Sequence, residues 1–370
     1  MKYYIISGEA SGDLHGANLI KELVKLDPAA DIRCWGGDMM EAAGAKVVKH
    51  YKELAFMGFK EVIANIGTVL SNINFCKKDI IQFNPDVVIF IDYPGFNLRL
   101  AKFAKKQRFK TLYYIAPQVW AWKEGRVEII KKYIDKLLVI LPFEVAFFAK
   151  HHCPAAFTGH PLLDAVSTFE INTNFHIQYK LDSQIPIIAL LPGSRKQEIL
   201  KMLPIMCETA KNFSHYQFVI AAAPGQTLEF YESILYNYPN IKIVSGQTYQ
   251  LLKHACAACV TSGTATLETA LFNVPQVVCY KGSWFSYQIG RRLVKVKYIS
   301  LVNLILDKPC VSELIQDGFT TESLTTELED ILTDNREDML EDYIELKGML
   351  GNGGASQKAA TAVFELTTKK

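Results

Sequence analysis

Short runs of consecutive apolar residues recur along the chain, and most are followed by a stretch with helical spacing. Residues 87–91 are five apolar residues in a row, too few for a helix and too apolar for a strand with one solvated face. Such a run predicts a parallel strand buried on both faces. Further strands are predicted at residues 2–7, 31–36, 111–115, 136–141, 186–191, 218–223, 241–244 and 274–280. The alternation of strand and helix predicts an α/β protein with doubly wound parallel sheets.

A polar, aperiodic segment interrupts this alternation at residues 167–184 and marks the expected domain boundary. At 370 residues the chain is long enough for two domains that each bury a core. We therefore expect an N-terminal Rossmann-like domain at 1–166, a linker at 167–184 and a second Rossmann-like domain at 185–345. Residues 346–370 are expected to form a closing helix that returns to the first domain.

Composition excludes several classes of protein. A net charge of +2 gives no bulk affinity for nucleic acid. The eight cysteines are scattered, and the one CxxC pair, Cys256 and Cys259, lacks the partners of a zinc site. The chain begins with a strand rather than a signal peptide, and no apolar run approaches the roughly 20 residues of a membrane span. These features predict a cytoplasmic protein that is soluble or peripherally bound to a membrane.

Asp92 follows the apolar run at 87–91, and Pro94 and Gly95 prevent the strand from continuing. Ligands of open α/β sheets bind outside the carboxyl ends of the strands, so this carboxylate faces the expected site. An Asp at a strand end can equally cap the next helix or close an Asx turn. The residues alone leave both interpretations open.

The first strand leads into a Gly-rich turn at residues 8–16, which lets backbone N–H groups approach a ligand. The turn is not GxGxxG, so the dinucleotide fingerprint is absent. Spacing alone favours a structural turn capped by Ser11 or Asp13. Glu9 has less obvious structural use there, and His15 is either a base or a surface residue.

Two turns in the second half of the chain have the composition of phosphate sites. Gly193, Ser194 and Arg195 open a helix after a predicted strand, where Arg195 could bind a phosphate that the helix dipole already favours. Ser262, Gly263 and Thr264 form the second turn. Glu268, one helical turn on, is either a carboxylate that suits the dipole or a ligand for a sugar diol. The presence of two such turns favours the ligand interpretation, and Asn303, inside an apolar stretch, is expected to bond backbone or ligand.

An apolar helix with few charges is predicted around residues 59–70. Its spacing normally indicates a core-facing stripe, but the opposite face is almost uncharged, so contact with a membrane or a lipid chain is the alternative. The stripe consists of Phe59, Val62, Ile63, Ile66, Val69 and Leu70. Residues 281–297 interleave aromatic and basic side chains, which is typical of a solvated basic helix and also suits an anionic lipid surface.

Seven motifs resemble the lipid-A-disaccharide synthase family, in the same order along the chain from Gly8 to about Leu314. They are GEASGD (8–13), FMG (56–58), IDYPGFN (91–97), PQVWAW (117–122), LPFE (141–144), LPGSR (191–195) and SGTATLE (262–268). The resemblance implies a GT-B fold, in which two Rossmann-like domains face each other across a cleft. It further implies an inverting, metal-independent glycosyltransferase without a cofactor, which joins UDP-2,3-diacylglucosamine to 2,3-diacylglucosamine 1-phosphate and releases UDP.

The resemblance also assigns roles to individual residues. Asp92 matches the family's proposed general base. On the UDP side the matches are Arg195, Glu268 and Asn303, and in the first loop Glu9 and Ser11. The chain departs from the family at Gly95, where members often carry a second acid; if that acid mattered, the assignment to Asp92 would weaken.

The resemblance implies substrates that carry acyl chains. We therefore expect the apolar helix and the 281–297 segment to face the inner membrane. A homodimer is one option that the sequence leaves undecided. Rival interpretations are another GT-B UDP-N-acetylglucosamine transferase or epimerase, a non-catalytic lipid-binding protein, and an NAD-dependent oxidoreductase. The absent GxGxxG counts against the last.

Overall fold

A computed structural model describes residues 1–53, 66–282 and 296–368. The chain divides into two compact units. Unit 1 comprises Met1–Asp164 together with Leu350–Lys370, and unit 2 comprises Ala165–Met349. Unit 1 is therefore built from both ends of the chain, with unit 2 inserted between them.

Unit 1 contains a seven-stranded parallel sheet in the order β3-β2-β1-β4-β5-β6-β7. Chain order reverses between β1 and β4, which is where an open α/β sheet opens a crevice for ligands. Every residue of β4 is buried, as the five-residue apolar run predicts. The strands are β1 Lys2–Ile6, β2 Asp31–Gly36, β3 Lys46–His50, β4 Val87–Ile91, β5 Lys110–Tyr114, β6 Lys136–Val139 and β7 Ala155–Phe157.

Helices cover both faces of this sheet and form two cores with it. One core includes Tyr4, Trp35 and Phe90, and the other includes Tyr3, Ile89 and Tyr114. This division follows from the pleat, because successive side chains on a strand point to opposite faces. The helices are α1 Ala10–Leu26, α2 Asp38–Ala42, α3 Ile66–Phe83, α4 Pro94–Lys106, α5 Val119–Trp122, α6 Val127–Tyr133, α7 Pro142–Lys150 and α8 Pro161–Ser167.

The closing helix belongs to unit 1. Ala359, Ala360 and Val363 of this helix are fully buried in the same core as Tyr3 and Ile89. At its N-terminus, the Asp164 carboxylate accepts hydrogen bonds from the main-chain N–H groups of Gly354 (2.6 Å) and Ala355 (3.1 Å). The segment completes the core of unit 1. It is labelled α17 and spans Ala355–Thr368.

Unit 2 contains a six-stranded parallel sheet in the order β10-β9-β8-β11-β12-β13, with the reversal between β8 and β11. The two sheets thus share one topology, and the prediction of two Rossmann-like α/β domains is confirmed. The strands are β8 Ile187–Leu191, β9 Gln217–Ala222, β10 Lys242–Ser245, β11 Ala255–Thr261, β12 Gln276–Tyr280 and β13 Glu313–Ile315. The helices are α9 Phe175–Gln178, α10 Lys196–Thr209, α11 Leu228–Leu235, α12 Thr248–His254, α13 Thr264–Leu271, α14 Leu301–Leu306, α15 Thr321–Leu332 and α16 Arg336–Leu350.

The structure adds elements that the hydrophobic pattern did not predict. Strand β3 and helix α2 are only five residues long and carry several charges, so they lack a clear period. Helix α4 begins at Pro94, because proline fits the first turn of a helix as well as it stops a strand. The polar segment 167–184 contains the short helix α9, whose Phe175 is fully buried in the core of unit 2.

Candidate active site

The backbone at Asp92 and Tyr93 adopts a left-handed conformation, with φ values of +43° and +49°. For residues with a Cβ this conformation costs on the order of 1 kcal/mol each. The Asn97 side-chain amide holds the turn by donating to the Asp92 carbonyl oxygen at 2.7 Å, and the Tyr113 hydroxyl donates to the same oxygen at 2.5 Å. These two bonds therefore hold the main-chain turn from which the Asp92 side chain projects.

The Asp92 carboxyl has an unusual proton affinity. Burial raises its pKa to about 6, and the negative charge of Glu9 contributes in the same direction, while the main-chain N–H of Tyr93 opposes both. A carboxyl group that is ionised at neutral pH yet has a pKa near neutrality is suited to act as a general base. This is the chemistry that the resemblance assigned to Asp92.

The first loop lies directly against the Asp92 turn. A Cβ atom on Gly8 would lie 2.4 Å from the Tyr93 ring, so any side chain at this position would displace the ring. Glu9 is the N-cap residue of α1, without a side-chain cap bond, and both Glu9 and Ser11 are exposed. The two acids, Glu9 and Asp92, share one edge of the sheet.

Of the other polar residues of this loop, Asp13 is buried and His15 is partly buried. Asp13 accepts hydrogen bonds from the main-chain N–H groups of Gly37, Met39 and Met40, and so caps α2 rather than α1. Burial lowers the pKa of His15 to about 4, and that of the nearby His160 to about 3. At neutral pH both imidazoles are therefore uncharged.

Glu144 is a further acid at this edge that the residue-by-residue reasoning missed. Its side chain is 1% exposed, and burial raises its pKa to about 7, with Asp92 adding to the shift. One carboxylate oxygen accepts from the Trp120 indole N–H at 3.1 Å and the other from the Leu141 main-chain N–H at 3.0 Å. The second bond is an ordinary capping-box contact, which is why the sequence LPFE reads as a helix start. The first bond orients an indole that is only partly buried.

In unit 2, the turn after β8 is shaped by Gly193, which has a φ of +95°. A Cβ at Gly193 would lie 3.3 Å from the Thr261 side chain at the end of β11, so the two turns predicted to bind phosphate are neighbours. Ser194 is exposed. Arg195 precedes α10, is 73% exposed and pairs with Glu198 at 2.9 Å. The guanidinium thus lies at the N-terminus of a 14-residue helix, where the dipole favours anions.

The second turn leads into α13. Gly263 has a φ of +138°, the Ser262 hydroxyl donates to the Ile299 carbonyl at 2.7 Å, and Thr264 is exposed at the first position of the helix. Burial raises the pKa of Glu268, whose carboxylate accepts a hydrogen bond from the Tyr249 hydroxyl at 2.7 Å. The second carboxylate oxygen has no hydrogen bond to the described residues.

Asn303 uses its amide within the protein. Its Nδ2 donates to the Val311 carbonyl at 2.8 Å and to Glu313 at 3.0 Å, and its Oδ1 accepts from the Val311 N–H at 2.9 Å. Glu313 in turn accepts from the main-chain N–H groups of Ile299 and Ser300. Asn303 therefore organises the segment whose Ile299 carbonyl binds Ser262.

The predicted lipid-contacting helix is described only in part. Phe59, Val62 and Ile63 lie outside the described residues, as does the side chain of Ile66. In α3, Val69 packs against the core, whereas Leu70 is 50% exposed. Most of the 281–297 segment also lies outside the described residues.

The described residues also bear on metal binding and on membrane spans. Among residues 1–53, 66–282 and 296–368, no three His, Cys, Asp or Glu side chains are grouped so that they could hold a metal ion. Within the same ranges, no helix has the length and apolar content needed to cross a membrane.

Comparison with known proteins gives a consistent family. The family model for lipid-A-disaccharide synthetase matches residues 3–363. The lipid-A-disaccharide synthase of Geobacter metallireducens is 37% identical over 373 residues, covering 99% of this chain and 97% of that protein. The synthase of Syntrophus aciditrophicus is 38% identical with the same coverage, and that of Coxiella burnetii is 36% identical, covering 98% of this chain and 97% of that protein.

Solved structures share the fold at much lower identity. The UDP-GlcNAc 2-epimerase from Neisseria meningitidis, bound to UDP-GlcNAc, has a TM-score of 0.71 at 14% identity, covering 99% of this chain and 100% of that one. The glycotransferase of kitacinnamycin has a TM-score of 0.68 at 13% identity, covering 99% of both chains. Because an epimerase and a glycosyltransferase match about equally well, the fold alone does not separate the two activities.

Proposed function

The chain belongs to the lipid-A-disaccharide synthase family, and from that premise we propose that it condenses UDP-2,3-diacylglucosamine with 2,3-diacylglucosamine 1-phosphate. The products are UDP and the β-1′,6-linked disaccharide 1-phosphate. The observation that carries the proposal is the family match over nearly the whole chain, together with a fixed carboxyl group of raised pKa at Asp92.

On the acceptor side, we assign Asp92 as the general base. Its carboxylate takes the proton from the acceptor's 6-hydroxyl as that oxygen attacks the anomeric carbon of the donor. The new C–O bond forms on the face opposite the departing UDP, so the anomeric configuration inverts. Glu9 and Ser11 lie in the loop that packs on the Asp92 turn, and they are assigned to the acceptor side.

On the donor side, the two adjoining turns of unit 2 bind the UDP group. Negative charge builds on the pyrophosphate as the anomeric bond breaks, and the N-terminus of α10 with Arg195 stabilises that charge. Ser262, Gly263 and Thr264 provide the second turn. Glu268 keeps one carboxylate oxygen available for the hydroxyl groups of the ribose, while Tyr249 occupies the other.

Three rival functions are tested by the same features. An epimerase or another UDP-N-acetylglucosamine transferase has the same fold, but the full-length family match favours the synthase. A non-catalytic lipid-binding protein would not need a carboxyl group held in a left-handed turn. An NAD-dependent oxidoreductase would be expected to carry GxGxxG after β1, where this chain has GEASGD.

We further propose that the protein works at the inner face of the cytoplasmic membrane, because both substrates carry acyl chains. Leu70 and Phe75 of α3 are about half exposed, which supports an apolar surface on unit 1. Sedimentation with vesicles would be lost after charges are introduced at Ile63 and Ile66. Unchanged sedimentation would contradict this surface. A homodimer stays a prediction.

The decisive experiment measures UDP release from the two acylated substrates in detergent, with excess chelator present. We expect turnover to survive chelation and to yield a β-1′,6 disaccharide. Replacing the acceptor by non-acylated glucosamine 1-phosphate should abolish turnover. Equal turnover of the non-acylated acceptor would favour a different transferase, and conversion of UDP-N-acetylglucosamine alone would favour an epimerase.

A further inference from the structure

An open groove in unit 1 lies between α4 and α6, and none of the residues that line it is assigned to the active site above. Its volume is about 350 Å³. Its floor is apolar and is formed by Leu98, Ile129 and Tyr133, of which Ile129 is 37% exposed. Apolar surface left in contact with water in a concave site gains free energy when an apolar group covers it.

The rim of the groove is cationic. Arg99 and Lys102 lie three residues apart on α4, hence on one face of the helix, and Lys132 lies opposite on α6. Glu128 is the one carboxylate that lines the cavity. Within the described ranges, none of the three cations is within ion-pair distance of a carboxylate. Cations gathered without a carboxylate partner repel one another and favour an anionic ligand.

An exposed aromatic residue lies in the chain segment that leads to α6. Trp122, the last residue of α5, is 49% exposed, and the Lys123 Nζ lies 4.0 Å from the centre of its ring. The Arg126 guanidinium lies 5.7 Å from the same ring. An exposed indole with basic neighbours is typical of the zone where a membrane meets water, since the ring suits the headgroup region.

We propose that the α4–α6 groove binds an anionic phospholipid. The phosphate lies among Arg99, Lys102 and Lys132, and the first carbons of an acyl chain cover Leu98 and Ile129. A free phosphate has no use for the apolar floor. A nucleic acid would require a longer basic track than a chain of net charge +2 supplies.

This site goes beyond the proposed reaction, because it concerns a lipid that is neither donor nor acceptor. The proposed reaction and the proposed lipid site can be contradicted independently of each other. Turnover of the acylated substrates in detergent tests the reaction, whereas vesicle binding without substrates tests the groove. The variants below alter exposed lysines outside the assigned active site, so their turnover in detergent should equal that of the native chain and also reports correct folding.

The test measures partition of the native chain onto vesicles of phosphatidylcholine with or without phosphatidylglycerol. We compare Lys102→Ala/Lys132→Ala with Lys21→Ala/Lys136→Ala, a control that removes two exposed lysines elsewhere on unit 1. The native chain should bind only the anionic vesicles. The groove variant should bind about 25-fold more weakly, roughly fivefold for each lysine near an anionic surface, and the control variant within about twofold of native.

Three results would overturn the proposal. Equal binding by the groove and control variants would show that the lipid binds elsewhere. Equal binding to both vesicle types would show that the anionic headgroup is not recognised. Complete displacement by millimolar inorganic phosphate would indicate a free-phosphate site. A separate variant, Ile129→Ser, should weaken vesicle binding about threefold; unchanged binding would contradict acyl-chain contact.

Discussion

The carboxyl ends of the two sheets have the same topology but differ in the charged groups that they carry. In unit 1 the polar groups are acids taken out of water, and the pKa values of Asp92 and Glu144 are raised to about 6 and about 7. In unit 2 burial also raises the pKa of Glu268, but this edge adds the cation Arg195, which is 73% exposed at a helix N-terminus. Burial makes a carboxylate a better base, whereas exposure leaves a guanidinium ready for an anionic ligand. One edge therefore suits proton transfer and the other suits phosphate binding.

The backbone at the two edges differs in the same sense. Unit 1 holds Asp92 and Tyr93 at positive φ although both have a Cβ, and hydrogen bonds from Asn97 and Tyr113 maintain the turn. In unit 2 the two turns predicted to bind phosphate have glycine at positive φ, namely Gly193 and Gly263. Glycine adopts this conformation without strain and leaves the backbone accessible. The first edge fixes a side chain, and the second opens the main chain to a ligand.

The largest expected effect comes from removing the base at the acidic edge. Asp92→Asn should lower kcat by roughly 100-fold or more, because the amide cannot accept the acceptor's proton. The affinity for UDP, measured by calorimetry, should stay within about twofold of native. The exposed Asp31→Asn serves as the control. Full activity of Asp92→Asn would show that another residue is the general base, and Glu9 would be the next candidate.

A smaller effect is expected at the cationic edge. Arg195→Ala should raise the dissociation constant of UDP about 10- to 100-fold, the range for losing a hydrogen bond to a charged group. The control, Lys196→Ala, removes the neighbouring cation, which lies over the Phe230 ring. If both variants bind UDP equally well, the turn at Gly193 does not hold the pyrophosphate.

The stability of the protein in acid tests whether His160 is buried as a neutral imidazole. Because the pKa of His160 is about 3 in the folded state, below the unfolded value of about 6.5, the unfolded state binds the proton first as the pH falls. Stability is therefore lost from about pH 6.5 downwards, by about 1.4 kcal/mol per pH unit for each such histidine.

His160→Gln removes one of these titrations. The difference in unfolding free energy between the native chain and the variant should shrink by about 1.4 kcal/mol for each pH unit below 6.5. Urea unfolding at pH 7.5, 6 and 5 measures this difference. The exposed His215→Gln in unit 2 provides the control. A difference that does not change with pH would contradict the burial of a neutral imidazole.

The smallest expected effect concerns the pH dependence of turnover. The rate should fall as the pH drops through about 6, because protonated Asp92 cannot act as a base. Glu9→Gln should move this acid limb to lower pH by less than one unit, since the negative charge of Glu9 raises the pKa of Asp92. Glu337→Gln, an exposed change in unit 2, should leave the limb in place. If the acid limb of Glu9→Gln moved to higher pH, the negative charge of Glu9 would not be what raises the pKa of Asp92.

The hydrophobic pattern was most informative for buried parallel strands. The predicted strand at 87–91 matches β4, because a strand covered on both faces must be apolar throughout. The position of Asp92 at a strand end followed from the same run. The turns at Gly193 and Ser262 were each predicted to bind phosphate, but their proximity follows from the pairing of β8 with β11, which the sequence did not indicate.

Other features depend on contacts that are distant in sequence. The residue types indicate the left-handed turn only in part, because Asp is enriched in this conformation whereas the Tyr93 that follows is not. The turn is held by the Asn97 amide and the Tyr113 hydroxyl, contacts that the sequence does not show. Glu144 looked like a capping residue, and only its bond to Trp120 reveals a second role. Asn303 was correctly expected to bond backbone or ligand, but its saturation by Val311 and Glu313 depends on the fold.

The closing helix has a consequence for how the protein is made. Its alanines fill the core beside β1, and Lys110 binds the main-chain carbonyl of Leu366 near its last turn. The ribosome synthesises this segment only after all of unit 2. Until then, one apolar face of the N-terminal sheet is not fully covered, whereas unit 2 can already fold. Loss of residues 355–368 would destabilise the first half of the protein, which is far from them along the sequence.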